Sequence, residues 1–392
     1  MPRPVPRSGA DAVQPTIAEL SADPHPSLAA LRRSGPICWV RALGGWVVTG
    51  HALAVTVMRD AETFTVDDPR FTTSQVIGRS MLSADGADHA RHRQPFVSPF
   101  SLASTRERFG EVVDAKVREL VDAIRPAGAA ELRRSVAAPL AVASMAAALG
   151  LASVPVDDLL GWYAAIVAAV SDVTAGAAVP ESGRLAYAGL AAAIEAVMVG
   201  GGSSLLADVA SRAGVLSVDE TLSNAAVLLF GGIETTEAMI ANVMHHLLST
   251  PTALDAVRAD PAVVDAVIEE SLRMEPAAAE VDRYATRPVT LGGVDIDAGD
   301  LVVVSLAGAN RDPAVFHHPD RFDPGRANLR RHLAFAQGPH TCLGIHLARL
   351  EARAAVTALL KLPGLRHDAA RSTPPEGLVF RKPAAVWGTW TI

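Results

Sequence analysis

The tightest constraint on this chain is one very long helical signal. Ser217 followed three residues later by Glu220 reads as a capping box. Apolar residues continue to Leu248, and Pro251 follows the end. About 31 residues at roughly 1.5 Å each span about 47 Å, enough to cross a whole domain. Other helical signals surround it. Residues 101–206 are rich in alanine and leucine with glycine breaks, which predicts several packed helices. A further helix opens with Asp260 as cap and Pro261 in its first turn, and stops near Met274 before Pro276. A last one is predicted over about Leu343–Leu360. Strand signals are few. Ile37–Arg41 and Trp46–Thr49 flank Gly44-Gly45 as a hairpin, and Val289–Leu306 reads as short strands. Residues 66–86 read as a long loop and residues 310–341 as a long meander. The expected fold class is mostly α with minor β. Residues 1–21 are expected to be a flexible lead and residues 22–392 a single domain.

Composition narrows the class of protein. The 392 residues are 49% hydrophobic and 20% charged, which excludes a disordered chain. A formal net charge of −7 argues against a general nucleic-acid binder. The two cysteines, Cys38 and Cys342, cannot form a disulfide scaffold, so a reducing compartment is the simpler reading. No uninterrupted apolar run reaches the ~18 residues of a membrane helix, and the proline-rich start lacks an apolar signal core. A cytoplasmic protein is therefore expected. Cys38, on a predicted strand, is read as a buried structural thiol.

The chemistry concentrates at Phe335-Ala336-Gln337-Gly338-Pro339-His340-Thr341-Cys342-Leu343-Gly344. One cysteine sits in a glycine-flanked loop just before a helix. Unpaired N–H groups and the partial positive charge of a helix start favour a thiolate. With no second cysteine nearby, structural zinc and iron–sulfur clusters are improbable, while a single thiolate suits axial ligation of haem. The decapeptide closely resembles the cysteine loop of the cytochrome P-450 superfamily. That resemblance implies a P-450 fold with haem b between the long helix and this loop. It implies that Cys342 is the proximal iron ligand and that Phe335 shields the thiolate side. Gly338 and Gly344 would let the backbone approach the ring, and His340 would reach a haem propionate. Ala336 stands where the family usually has glycine.

Three further segments extend the resemblance. Glu270 and Arg273, three apart, share a helix face; in the family this pair joins a meander arginine, here Arg321, in a structural triad. In Gly231-Gly232-Ile233-Glu234-Thr235-Thr236, two helix-interior glycines cost roughly 1 kcal/mol each relative to alanine, which close approach to a flat ligand would explain. By resemblance, Glu234 and Thr235 form the distal acid–alcohol pair that supplies protons during O2 activation. His89 and Arg93 lie four apart on one helix face; by resemblance they bind haem propionates together with Arg283.

The implied activity is that of a haem-thiolate monooxygenase, which inserts one oxygen atom of O2 into an organic substrate. A secondary metabolite or its precursor is the expected substrate. The chain has no flavin, nicotinamide or cysteine-rich module, so electrons are expected from a ferredoxin, or a flavodoxin, and its NAD(P)H-dependent reductase. Arg91, Arg330, Arg331, His346, Arg349 and Arg353 are the candidates for a basic docking face. The alternatives are a haem-thiolate catalyst of C–C coupling, rearrangement or peroxygenation, and a haem sensor or carrier. Expected pocket walls are the segment from Phe71 to Met81, Val227 and Gly231, Ala278 to Val281, and the region of Val379. Glu280 is read in two ways: in contact with a basic group on the substrate, or turned away and paired with an arginine such as Arg287.

Overall fold

The computed structural model describes residues 13–174, 177–200, 204–210 and 215–392. The long helix spans Val218–Ser249, 32 residues, and most of its length is buried. Its capping box is complete. Glu220 N–H donates to Ser217 Oγ at 3.1 Å, and Ser217 N–H donates to Glu220 Oε2 at 2.8 Å. Packed on it are the helices Ala138–Leu149, Val264–Met274 and Ile345–Leu359, and Leu102–Ile124 lies against two of these. The two glycines of the long helix have different reasons. A Cβ at Gly232 would run into Met145 of the helix Ala138–Leu149, whereas one at Gly231 would meet open space. Gly232 therefore serves helix packing, and only Gly231 leaves room for a ligand. The helices Glu181–Gly200 and Val218–Ser249 are each long and apolar enough to cross a membrane, but the second is this core element.

The expected hairpin is present. Ile37–Val40 pairs antiparallel with Gly45–Val48, and Gly44 takes the positive φ of the turn. A five-stranded sheet runs in the order Ile37–Val40, Gly45–Val48, Leu301–Ser305, Glu280–Ala285, Phe64–Thr65. Leu28 and Leu31 of the helix Pro24–Ser34 cover one face beside Val40, Val47 and Val303. Ala54, Val57 and Met58 of the helix His51–Arg59 cover the other, beside Trp46, Val302 and Val304.

Several boundaries differ from expectation for local reasons. The loop over 66–86 contains a short helix, Thr72–Ile77, because Val76 and Ile77 reach the core. The expected lead is ordered from Thr16, which caps the helix Ile17–Ala22; residues 1–12 lie outside the described residues. Pro251 does more than follow the long helix: it opens the next one, Pro251–Ala259. Asp260 caps a 3-10 turn, Pro261–Val263, that runs on into Val264–Met274.

The structural triad needs one correction. Arg273 and Glu270 are both 0% exposed and form a bidentate pair, with two N–O distances of 2.8 Å. Arg273 also donates to the carbonyls of Asn310, Pro319 and Arg321 at 2.7–3.2 Å. The third side chain is Arg326, whose Nε lies 3.4 Å from Glu270 Oε1. Arg321 contributes only its carbonyl, and its residue is exposed. Removing one member of a buried ion pair strands the other. Glu270→Ala is therefore expected to destabilise by about 3–5 kcal/mol. Arg321→Ala should stay within about 0.5 kcal/mol of wild type. Denaturant midpoints of the two variants check this, and an equal loss in both would sink the correction.

Candidate active site

The cysteine loop is folded on itself. Cys342 N–H donates to Phe335 O at 2.9 Å, and Thr341 Oγ1 donates to Gly338 O at 2.8 Å. Gly338 has a φ of 76°, and a Cβ there would collide with the Met58 carbonyl, so the loop can approach the helix His51–Arg59 only with glycine. Ala336 holds a φ of 56°, the left-handed region the family's glycine occupies freely, at a cost of about 1 kcal/mol. Behind the loop, Glu269 accepts from Arg349 Nε at 2.6 Å and meets His332 Nε2 at 3.2 Å. Burial raises the Glu269 carboxyl, but these partners outweigh it and hold it down to about 2. The Arg349 guanidinium stacks 4.8 Å from the centroid of the Phe335 ring. The Cys342 thiol is pushed up by burial, against the Gly344 N–H and the charges of Arg93 and Arg349.

Opposite the loop elements, the long helix leaves a stripe partly open. Within an otherwise buried stretch, Leu228, Gly231, Gly232 and Thr235 keep intermediate exposure, and their spacing puts them on one face. Thr235 Oγ1 donates to Gly231 O at 2.5 Å, the one-turn back-bond expected of a threonine in a helix. Glu234 is one residue away and so turned by about 100°. It is buried, and its Oε1 lies 2.8 Å from Lys382 Nζ. The hydroxyl thus faces the stripe, and the acid is held to its side. Phe230 adds an aromatic wall with Phe380, whose ring centroid is 5.5 Å away.

The donors predicted to hold propionates gather near the loop. Arg93 Nη2 donates to Thr341 O at 2.5 Å. Arg283 is 3% exposed, and its Nη1 donates to Asp282 O at 2.7 Å. His89 Nε2 is buried with no hydrogen-bond partner. Burial first, then the charges of His340 and Arg93, push His89 down to about 4. Among the described residues no carboxylate lies within ion-pair distance of these three side chains. Crowded donors short of acceptors fit a ligand that brings its own carboxylates, as haem does. His340 departs from expectation. Its Nε2 lies 2.7 Å from Asp85 Oδ1, so a protein carboxylate already occupies it. Its ring packs on His89 at a centroid distance of 4.3 Å. Burial raises Asp85, but His340, Thr65 and the Val66 N–H overcome that and hold it low.

Glu280 follows neither expected course as drawn. It alternates with Arg283 along the strand, so the two occupy opposite faces. It lines a cleft with Leu28, Leu31, Val40 and Val47, with space of about 20 Å³, enough for one water. Arg287 donates to Thr63 Oγ1 at 2.8 Å instead. Burial, and then Asp282, push the Glu280 carboxyl up to about 8.

On the outer side, Arg330, His346, Arg349 and Arg353 line one cleft, joined by Arg106, which the sequence reading did not pick out. Arg91 is absent from that lining. Its guanidinium is committed to Asp88 at 2.7 Å and Glu220 at 2.5 Å, at the start of the long helix.

Two tests follow from this geometry. Arg283→Ala is expected to lower haem content several-fold, measured as haem per protein, whereas Arg353→Ala, exposed and paired with Asp265, should retain it. Equal retention in the two would count against the propionate placement. Glu280 predicts a pH effect. Its folded-state value, about 8 against 4.5, means the fold holds a proton that the unfolded chain loses. Its stabilising share is complete below pH 4.5 and disappears as pH rises through 8, by at most about 1.4 kcal/mol per pH unit. Glu280→Gln should flatten the fall in unfolding free energy between pH 5 and 8; an unchanged slope would contradict it.

Comparison with known proteins agrees with the geometry. A family model described as Cytochrome P-450 matches residues 203–376. The chain is 36% identical to the cytochrome P-450 monooxygenase PikC of Streptomyces venezuelae, over 89% of this chain and 86% of that one. It is 34% identical to nocardicin C N-oxygenase of Nocardia uniformis subsp. tsuyamanensis, over 94% and 96%. Among solved structures, CalO2 superimposes with a TM-score of 0.88 at 30% identity, covering 97% of this chain and 99% of that one. These relatives favour O2-dependent oxygenation over coupling, peroxygenation or haem sensing. The chain belongs to the cytochrome P-450 family and is a haem-thiolate monooxygenase.

Proposed function

We propose that Cys342 is the axial ligand of haem b, and that His89, Arg93 and Arg283 hold its propionates. Phe335 covers the thiolate side, and Gly344, with open space beside it, leaves the ring room; Gly338 serves the close packing of the loop on the helix His51–Arg59 instead. His340 supports this cluster through Asp85 and His89 rather than by holding a propionate itself. The observation that carries this reading is a pair of guanidinium groups and a buried imidazole nitrogen without a partner beside the cysteine loop, none of them ion-paired to a carboxylate among the described residues. Bound haem with a thiolate ligand supplies the O2 chemistry. The protein's own work is ligation, placement and proton handling. Thr235 Oγ1 sits on the open stripe, where turning its O–H away from the Gly231 carbonyl lets it donate toward the bound ligand, and Glu234 is the acid that replenishes it.

Residues 22–392 are proposed to act as a single domain in the cytoplasm. The substrate is proposed to be a secondary metabolite or its precursor. Kinship with nocardicin C N-oxygenase supports this, as do the small residues along the stripe. The monooxygenase needs O2, substrate and redox partners, and a ferredoxin with its reductase is the proposed electron source. The cleft of Arg106, Arg330, His346, Arg349 and Arg353 is its proposed dock, because it lies beside the helix that follows Cys342. Arg349 and Arg353 already face Glu269 and Asp265, so Arg106 and Arg330 are the charges left for an acidic partner among the described residues.

Thr235→Ala tests the proton assignment. Substrate affinity is expected to stay within about two-fold of wild type, since the hydroxyl's partner is a backbone carbonyl. Product formed per NADPH should fall about ten-fold, with hydrogen peroxide released in its place. A fully coupled Thr235→Ala enzyme would rule out the relay.

A further inference from the structure

The cleft that holds Arg106 and Arg330 has more built into it than surface charge. It encloses space of about 180 Å³, and about 150 Å³ suffices for a benzene-sized guest. Three helices begin around it. Thr105 and Arg106 lie in the first two turns of Leu102–Ile124, Ile268 in those of Val264–Met274, and His346 and Leu350 in those of Ile345–Leu359. The positive ends of three helix dipoles thus meet at one space, which favours an anion there. The side chains leave the same sign in surplus. Arg353 takes Asp265 at 2.7 Å and Arg349 takes Glu269 at 2.6 Å. Arg106 and Arg330 have no ion pair among the described residues, so two positive charges remain uncompensated. A third observation is independent of charge. Thr105 is 2% exposed, and its Oγ1 is buried with no hydrogen-bond partner. Ser101, one turn earlier, is already used as the cap of that helix, accepting from Ser104 N–H at 3.4 Å. A buried hydroxyl left unpaired is costly, and a ligand with acceptor oxygens would satisfy it.

We propose that this cleft is a binding site for the phosphate group of a small molecule. The dianion lies between the guanidinium groups of Arg106 and Arg330 and accepts a hydrogen bond from the Thr105 hydroxyl. Ile268 and Leu350 give apolar surface to the few atoms attached to it. Phosphate fits better than a carboxylate. Two surplus charges match a dianion, and the planar guanidinium fork grips phosphate oxygens in pairs. Occupancy has a consequence for electron supply. The same two arginines are the charges left for an acidic ferredoxin, so a bound phosphate compound keeps the ferredoxin off. This consequence rests on the dock proposed above, whereas the binding site itself does not.

The test uses the haem-loaded enzyme at pH 8, with ionic strength held constant by sodium chloride. Inorganic phosphate is titrated in by calorimetry. In parallel, the rate at which a reduced ferredoxin reduces the haem under carbon monoxide is followed with and without phosphate. Wild type is expected to bind one phosphate, and saturating phosphate should raise the ferredoxin concentration for half-maximal rate about ten-fold. Thr105→Val replaces an unpaired hydroxyl with a methyl group of similar shape, so the fold is kept. It should weaken phosphate about five-fold while leaving the phosphate-free ferredoxin rate within about two-fold of wild type. The double variant Arg106→Gln/Arg330→Gln should weaken phosphate by more than ten-fold. Wild-type heats no different from those of sodium chloride overturn the site. So does a phosphate affinity that is unchanged in Thr105→Val or in the double variant. Phosphate binding in the expected order with a ferredoxin rate that ignores phosphate overturns the competition alone, and places the ferredoxin dock elsewhere.

Discussion

A guanidinium taken fully out of water needs an acceptor for every donor it carries. Arg273 meets that demand with the Glu270 carboxylate and three meander carbonyls. The consequence is architectural. The meander has little regular structure of its own, yet its carbonyls are fixed relative to the helix Val264–Met274. The residue just before Glu270 on that helix, Glu269, points elsewhere and clamps Arg349 and His332. Arg349 in turn lies over Phe335. Consecutive acids on one helix thus tie the meander and the cysteine loop to a single rigid support. The position of Cys342 depends on that support.

The stripe on the long helix depends on a different economy of space. Gly232 lets Met145 come close on one side, while Gly231 and Thr235 stay open on another. Near the cysteine loop, Arg93 is half-buried and Arg283 buried without an ion-paired carboxylate among the described residues, and burial with the neighbouring charges holds His89 down to about 4. Both features look unfavourable when considered singly. Both fit the haem proposed to lie between them, whose carboxylates would partner the donors.

Much of this was legible from the sequence because the informative signals are contiguous. The capping box at Ser217, the decapeptide around Cys342 and the Glu270/Arg273 spacing each lie within one element, where spacing dictates the face. What escaped depends on partners far along the chain. The meander arginine that reaches Glu270 is Arg326, not Arg321, because the loop's path decides which side chain turns inward. His340 is taken by Asp85, and Glu234 by Lys382, across sequence separations that no periodicity reports. Glu280 was expected at the substrate or on Arg287, but strand alternation turns it to the face opposite Arg283, into the cleft with Leu28 and Val47. The short helix Thr72–Ile77 was missed because two buried positions, Val76 and Ile77, carry too little pattern to show a period.

The two adjacent glycines of the long helix also bear on how such a protein changes over time. A methyl group at position 232 would push against Met145 and force two core helices apart, so that position is closed to variation. A side chain at position 231 would grow into open space without touching the frame. Alanine there would also relieve the conformational cost of glycine in a helix, roughly 1 kcal/mol. A methyl group at 231 thus meets no protein neighbour, one residue from a site where the same addition would be ruinous. What limits position 231 is the ligand that shares its space, so substitutions there act on ligand fit while the scaffold that holds Cys342 stays as it is.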